Sequence, residues 1–505
     1  MTAVVKRTWA MAVVVLALAP PAAAQGYRAT LDLRAQSVSY RGWQLDSIPG
    51  PSAVVGAGGG LESPDGFAVS CSDDPNADQC FYYRPGARQS AAPLVLVSDI
   101  SAWGFGIKGL SARANLRFNY QLGDAPWPNM EPTLQLYEGY LDYQHQWVAL
   151  RGGRQIVTSR FGWAGFDGGL ATLRDQKHGV EVAGYAGWGL ARSSAIGINN
   201  PLTAPLGDFI PPERHLLVGA YGSLRTGPAD VRLDWQRQFD LSTDYLISDL
   251  VSGSTTIRAA RHFAITGGVE YNLAQAQWGS ADASLRYTVP RVQVTAGYRR
   301  YLPRFDLYSV WAAFSPVAWN GVQGSVVVSP LSWLQLRGRG EYIKFEDAQA
   351  STPTFTALDH GYRTSFGGTV SIIEHVTFDL GYNLEKVTGA WISGADATVA
   401  WAPTEALRFR VYGAYAQRPL EYRYDASTAK WIGVDADARV AERFSVGFSL
   451  VQMYEERDRP DAAAFDWNQT RLMGRLSYFF SSREPDRRGL PDAVKRMPSS
   501  QGYLR

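Results

Sequence analysis

The residues with the most chemistry to offer are few. Cys71 and Cys80 bracket an eight-residue acidic segment. In an oxidising compartment two cysteines so placed form a local disulfide. Asp73, Asp74, Asn76 and Asp78 between them supply hard oxygens of the kind that bind Ca²⁺. The simpler reading, a solvated acidic loop with no metal, is preferred. The six histidines are His145, His178, His215, His262, His360 and His375, and no two have metal-site spacing. Asp359-His360 and His215 are the only candidates for an acid-base site, and there is no Gly-x-Ser-x-Gly elbow to supply a nucleophile. No Cys-x-x-Cys-His occurs, so the chain attaches no c-type haem. These observations point away from an enzyme and from a resident cofactor.

Composition narrows the class. The chain has 505 residues, with 49 basic against 47 acidic and 12% aromatics. Near-neutrality argues against nucleic-acid binding, which needs a basic surface. The aromatic content argues against disorder. Lys6 and Arg7, the apolar run Trp9 to Ala19 and the small residues Ala22-Ala23-Ala24 read as an export signal over residues 1–24. Beyond it no stretch of 18 apolar residues exists, so no transmembrane helix is expected.

The elements that must position any site are long alternating strands. Leu110, Ala112, Ala114, Leu116, Phe118, Tyr120 and Leu122 take one face of a 13-residue run. Ser111, Arg113, Asn115, Arg117, Asn119 and Gln121 take the other. Soluble strands average about 5–6 residues, whereas a membrane strand needs about 9–11. The pattern recurs around Leu380, Leu336 and Phe409, and in Tyr27 to Gln36 and Arg471 to Phe480. It predicts an all-β, antiparallel up-and-down transmembrane barrel over 25–480, of about 22 strands (18–22). The segment 168–176 is the weakest strand, and 240–263 is poorly patterned. Short turns and long connections largely alternate, the longest being an outer loop at 44–92. A Pro- and Ser-containing tail, 481–505, follows on the periplasmic side. It is expected to be disordered, or else to dock a periplasmic partner.

With polar residues inward, the lumen carries Arg28, Arg34, Arg113, Arg117, Arg232, Arg337, Arg339, Arg363, Arg408, Arg410, Arg471 and Arg475. Against them stand Asp32, Glu138, Asp142, Asp230, Asp234, Glu341, Asp379, Glu385, Asp435 and Asp437. So even a balance predicts weak ion selectivity, slightly anionic at most. A barrel of 16–18 strands leaves an aqueous channel, and one of 22 encloses a plug. This chain has no plug domain of its own, so loops must narrow the opening. Candidates are Val157 to Gly169 and Leu190 to Glu213, the latter holding Ile196, Ile198, Leu202, Leu206, Phe209 and Ile210.

One stretch carries a resemblance. Gly139-Tyr140-Leu141-Asp142-Tyr143, then Leu150-Arg151-Gly152-Gly153-Arg154-Gln155 and Phe166-Asp167-Gly168, is similar to a stretch of bacterial porin-type outer-membrane proteins, including alginate-export-type barrels. The likeness covers about 50 of the 505 residues. It implies an outer-membrane location in a Gram-negative-type bacterium and Arg154 as a lumen residue. The expected function is a passive channel for small polar solutes, or for export of a polymer. The alternative is a barrel sheath around a separate periplasmic multihaem electron-transfer partner. Amino-terminal sequencing of the exported protein is expected to begin at Gln25; a mature chain retaining Trp9 would overturn the export signal.

Overall fold

The computed structural model describes residues 26–56, 60–71, 79–123, 133–190, 214–241, 245–302, 318–346, 359–387, 390–418, 427–457 and 467–482. The expected export signal, the acidic residues between the cysteines, the expected apolar loop over 191–213 and the expected tail beyond Ser482 therefore lie outside the described residues.

The chain forms a closed antiparallel barrel of 22 strands. The strands are β1 (Gly26–Pro49), β2 (Gln79–Ala91 continued by Pro93–Trp103), β3 (Leu110–Gln121), β4 (Leu134–Gln144), β5 (Val148–Ser159) and β6 (Gly162–Asp175). Next come β7 (Val180–Gly189), β8 (Leu216–Arg225), β9 (Ala229–Asp240), β10 (Tyr245–Ala260), β11 (Phe263–Asn272) and β12 (Gln277–Val289). Then follow β13 (Val292–Tyr301), β14 (Trp319–Leu331), β15 (Leu334–Phe345), β16 (His360–Val370) and β17 (Val376–Val387). The last are β18 (Ala390–Thr404), β19 (Leu407–Arg418), β20 (Ser427–Ala441), β21 (Phe444–Arg457) and β22 (Trp467–Ser481). Each strand pairs with its neighbours in sequence, and β22 closes on β1 from Arg28–Ser481 to Val38–Arg471. The seam is finished by Tyr27 N–H donating to Ser482 Oγ at 2.9 Å.

Closure is what hydrocarbon demands. A strand edge in lipid would leave N–H and C=O groups with no water to bond. Alternation does the rest. Leu380, Phe366, Leu233, Val322, Leu141 and Ile432 are all more than half exposed, as residues that meet lipid must be in an isolated chain. The opposite face holds the buried polar groups Asp32, Asp142, Asp234, Glu270 and Glu341.

Four boundaries differ from the sequence reading. The outer connection expected over 44–92 is mostly strand: β1 runs 24 residues to Pro49 and pairs with β2 out to Gln79, leaving only 50–78 as connection. At about 3.3 Å per residue β1 outruns any bilayer, so this hairpin stands outside the membrane. The segment Val157 to Gly169, expected as a loop, is a tight hairpin with Arg160 and Phe161 at its turn. Its glycines and scattered aromatics hide the alternation. The poorly patterned stretch at 240–263 contains β10, which carries a bulge opposite Gln238–Phe239 and another near Ala260. Each bulge shifts the facing of side chains by one residue. Ser481 belongs to β22, not to the tail.

Leu380→Arg, on the lipid face of β17, is expected to destabilise the refolded barrel by about 2–4 kcal/mol, while Asn383→Arg on the opposite face leaves it near wild type. Urea titration in lipid vesicles reads both, and equal effects would contradict the assignment of faces.

Candidate functional site

The ladder register assigns every side chain to one of two faces, and a cross-barrel contact says which face is inside. Arg160 in the β5–β6 turn forms an ion pair with Asp282 on β12 and lies 3.4 Å from Glu270 on β11. β6 and β12 are six strands apart in the sheet. At about 4.8 Å per strand that is roughly 29 Å along the wall. A contact between them must cross the interior, so the face of Glu270 and Asp282 is the inner one.

Followed round the ladder, that face carries Arg113 and Arg117 on β3, Arg232 on β9, Arg337, Arg339 and Glu341 on β15, Asp379 on β17, Arg408 and Arg410 on β19, and Arg471 and Arg475 on β22. The structure joins most of these to acids. Arg113 sits 2.9 Å from Asp99 and 3.3 Å from Glu138. Arg232 bonds Asp234 at 2.7 Å, Arg337 bonds Asp379 at 2.7 Å and Arg475 bonds Asp32 at 2.6 Å. Arg410 pairs with Asp435. Glu341 accepts from Arg299 and lies 3.9 Å from Arg363, which donates to Glu385 at 2.8 Å. The inner wall thus carries guanidinium–carboxylate pairs within one strand or between strands one or two apart.

Arg154 is placed differently. It pairs across the ladder with Asp167, to which it donates two bonds at 2.7 and 2.8 Å. By register it shares its face with Leu150 and Ile156, whereas Arg151 and Gln155 take the inner one. Several inner-face residues were absent from the sequence list: Asp99, Arg151, Arg174, Glu181, Glu270, Asp282 and Arg299. Simple alternation would have found Asp282, since Asp282, Ser284 and Arg286 oppose Ala283, Leu285 and Tyr287. Arg160 lies in a two-residue turn, where alternation gives no direction.

The β5–β6 hairpin leans into the lumen. Val157 and Phe166 on its inner face pack with Tyr185 on β7 and Leu217 on β8, and Phe166 is fully buried. The Phe166 and Tyr185 rings stack at 5.4 Å between centroids. Arg232 donates to the carbonyl of Thr158 at 3.0 Å from four strands away. Beneath the hairpin lies a cavity of about 250 Å³ whose lining includes Asp142, Arg151, Thr172, Arg174, Tyr221 and Arg232.

Outside the membrane three local sites stand out. Cys71 and Cys80 are disulfide-bonded at the base of the outer connection, Cys80 being almost wholly buried. Phe67 and Tyr82 pack beside them, with Ile48 and Val69, as a small satellite core. At the opposite rim His178 approaches Asp175 at 2.5 Å, and this contact holds the Asp175 carboxyl below its usual range. Asp359 and His360 form a comparable exposed contact at 2.8 Å. Among the described residues no cluster of His, Cys, Asp or Glu is arranged to hold a metal ion.

A closed barrel with an apolar outer face and a charged inner one defines the class: an integral outer-membrane β-barrel. No protein-family model and no curated protein matches the sequence. Among solved structures the siderophore receptor PirA from Acinetobacter baumannii superposes with a TM-score of 0.52 at 8% identity, over 90% of this chain and 80% of that one. OccAB4 from the same organism gives 0.38 at 8%, over 91% and 100%. OpdK from Pseudomonas aeruginosa gives 0.38 at 11%, over 90% and 99%. At these identities the likeness is one of fold.

The Cys71–Cys80 bridge closes a loop of sequence separation 9, which in the chain-entropy account is worth about 2–3 kcal/mol. The double variant Cys71→Ser/Cys80→Ser is expected to leave the barrel intact and to speed proteolysis within 50–78. Unchanged cleavage would show that the satellite core holds without the bridge.

Proposed function

We propose that the protein is an outer-membrane channel for small polar solutes or an exported polymer, lined by the charged belt of the inner wall. The observation that carries this reading is the largely polar, charged face inside a closed barrel. From 22 strands tilted at about 40° the wall has a radius of roughly 20 Å, too wide for wall side chains alone to fill. The residues proposed to meet the passing solute are Arg113, Arg117, Arg232, Arg337, Arg339, Glu341, Asp379, Arg408, Arg410, Arg471 and Arg475. Arg154 is left out, because its register turns it to the other face.

The pairing pattern argues for breadth, not selectivity. A ring of one charge sign selects ions strongly. Here guanidinium and carboxylate groups neutralise each other strand by strand, as Arg337 with Asp379 and Arg113 with Asp99 and Glu138 illustrate. A wet wall with little net field passes polar solutes of either sign.

The alternative, a sheath around an electron-transfer partner, meets a steric objection. The β5–β6 hairpin occupies interior space that such a partner would need, and it is fastened there by Arg160 and Arg232.

In a planar bilayer the purified protein is expected to give stepwise openings of steady size, with a reversal potential near zero in a KCl gradient. Arg337→Glu is expected to shift that potential toward cation preference. A folded, inserted barrel with no conductance would overturn the channel reading.

A further inference from the structure

We propose that the β5–β6 hairpin is a hinged strap, latched across the lumen by Arg160, whose release widens the passage. The proposal rests on the channel reading for its consequence, but on geometry alone for the latch.

The hairpin tip is detached from the wall on both sides. β4 pairs with β5 only as far as Gly139–Arg154. β7 pairs with β6 only as far as Phe166–Gly189, followed by one more backbone bond in which Leu190 N–H donates to the Gly165 carbonyl at 2.8 Å. Between these limits, residues 155–164 have ladder partners only within the hairpin itself. Both neighbouring strands stop short of the tip, so the hairpin is free to fold inward there.

The point of departure is built from glycine. Gly152 pairs with Gly169 and Gly153 with Gly168, and Gly168 pairs in turn with Gly187 on β7. Gly153 has φ +127°, and a Cβ there would lie 2.3 Å from the Gly139 carbonyl oxygen. A Cβ on Gly168 would lie 2.1 Å from the Ala186 carbonyl oxygen. Side chains are barred at Gly153, Gly168 and Gly187, which leaves the strands able to bend there without dragging bulk through the wall. Hinges that absorb large backbone changes occupy such positions.

The tip is then held at its far end by charge. Arg160 pairs with Asp282, lies 3.4 Å from Glu270 and donates to Ser280 Oγ at 3.3 Å, and its side chain is mostly buried. Nothing in the β5–β6 turn itself requires an arginine. Val157 and Phe166 supply the apolar underside of the strap, so Arg160 selects the seated position and the apolar contacts stabilise it. With the latch closed, the strap spans the inner faces of β7 to β10 and roofs the cavity lined by Arg151, Arg174, Tyr221 and Arg232. Arg160 is therefore a positioning residue for the width of the passage.

Hydrogen exchange on the purified, folded barrel tests the latch whether or not the barrel conducts. Losing a charge-assisted contact corresponds to about a tenfold or larger gain in the opening equilibrium. Arg160→Ala is expected to raise exchange across 155–165 by about that factor, leaving β16 and β17 unchanged. The charge swap Arg160→Asp with Asp282→Arg is expected to restore protection. Unchanged exchange in Arg160→Ala would overturn the latch. Single-channel recording then separates the two readings. If the wild type conducts and Arg160→Ala gives the same steady conductance despite faster exchange, the latch does not set the width. If exchange rises but neither protein conducts, the channel reading fails while the latch stands.

Discussion

Backbone groups in hydrocarbon must be bonded to one another, and this single constraint organises the molecule. A sheet meets it only by having no edge, so β22 returns to β1 and the two are stitched from Arg28–Ser481 to Val38–Arg471. Once closed, the barrel has only an inside and an outside, and the period-2 alternation of strands becomes a division between lipid and water. The outer face is apolar because lipid cannot solvate anything else. The inner face is free to be charged, and is.

The interior charges are arranged by the same ladder. Residues on one face of neighbouring strands lie about 5 Å apart, which brings Arg113 beside Asp99 and Glu138, and Arg363 beside Glu385 and Glu341. Many of these guanidinium groups find a carboxylate on their own strand or one or two strands away without leaving the wall. Such pairs add little stability where water reaches them, but they hold long side chains flat against the strands.

The β5–β6 hairpin is the exception to both rules. Its tip gives up lateral pairing with β4 and β7, and one of its arginines leaves the wall to meet acids six strands away. Detached backbone is tolerable at that height because the interior supplies water and other polar groups. Phe166, fully buried in a water-facing barrel, marks how closely the hairpin is seated. The hairpin narrows the lumen of a wide barrel.

Much of this was legible in the sequence. The long alternating runs, such as Leu110 to Leu122, determine membrane strands, because each side chain's face follows from local geometry. The inner-wall arginines of β3, β15, β19 and β22 follow from the same parity, and Cys71 and Cys80 pair because nine residues separate them. Parity fails wherever the ladder slips or turns. The bulges of β10 hid that strand, and Arg154, suggested as a lumen residue by resemblance, sits on the opposite face. Only the tertiary structure decided that Gly153, Gly168 and Gly187 lie side by side, and that Arg160 meets Glu270 and Asp282. The Arg160 contacts join residues more than a hundred positions apart across an enclosed space, and that space exists only after the last strand has closed on the first.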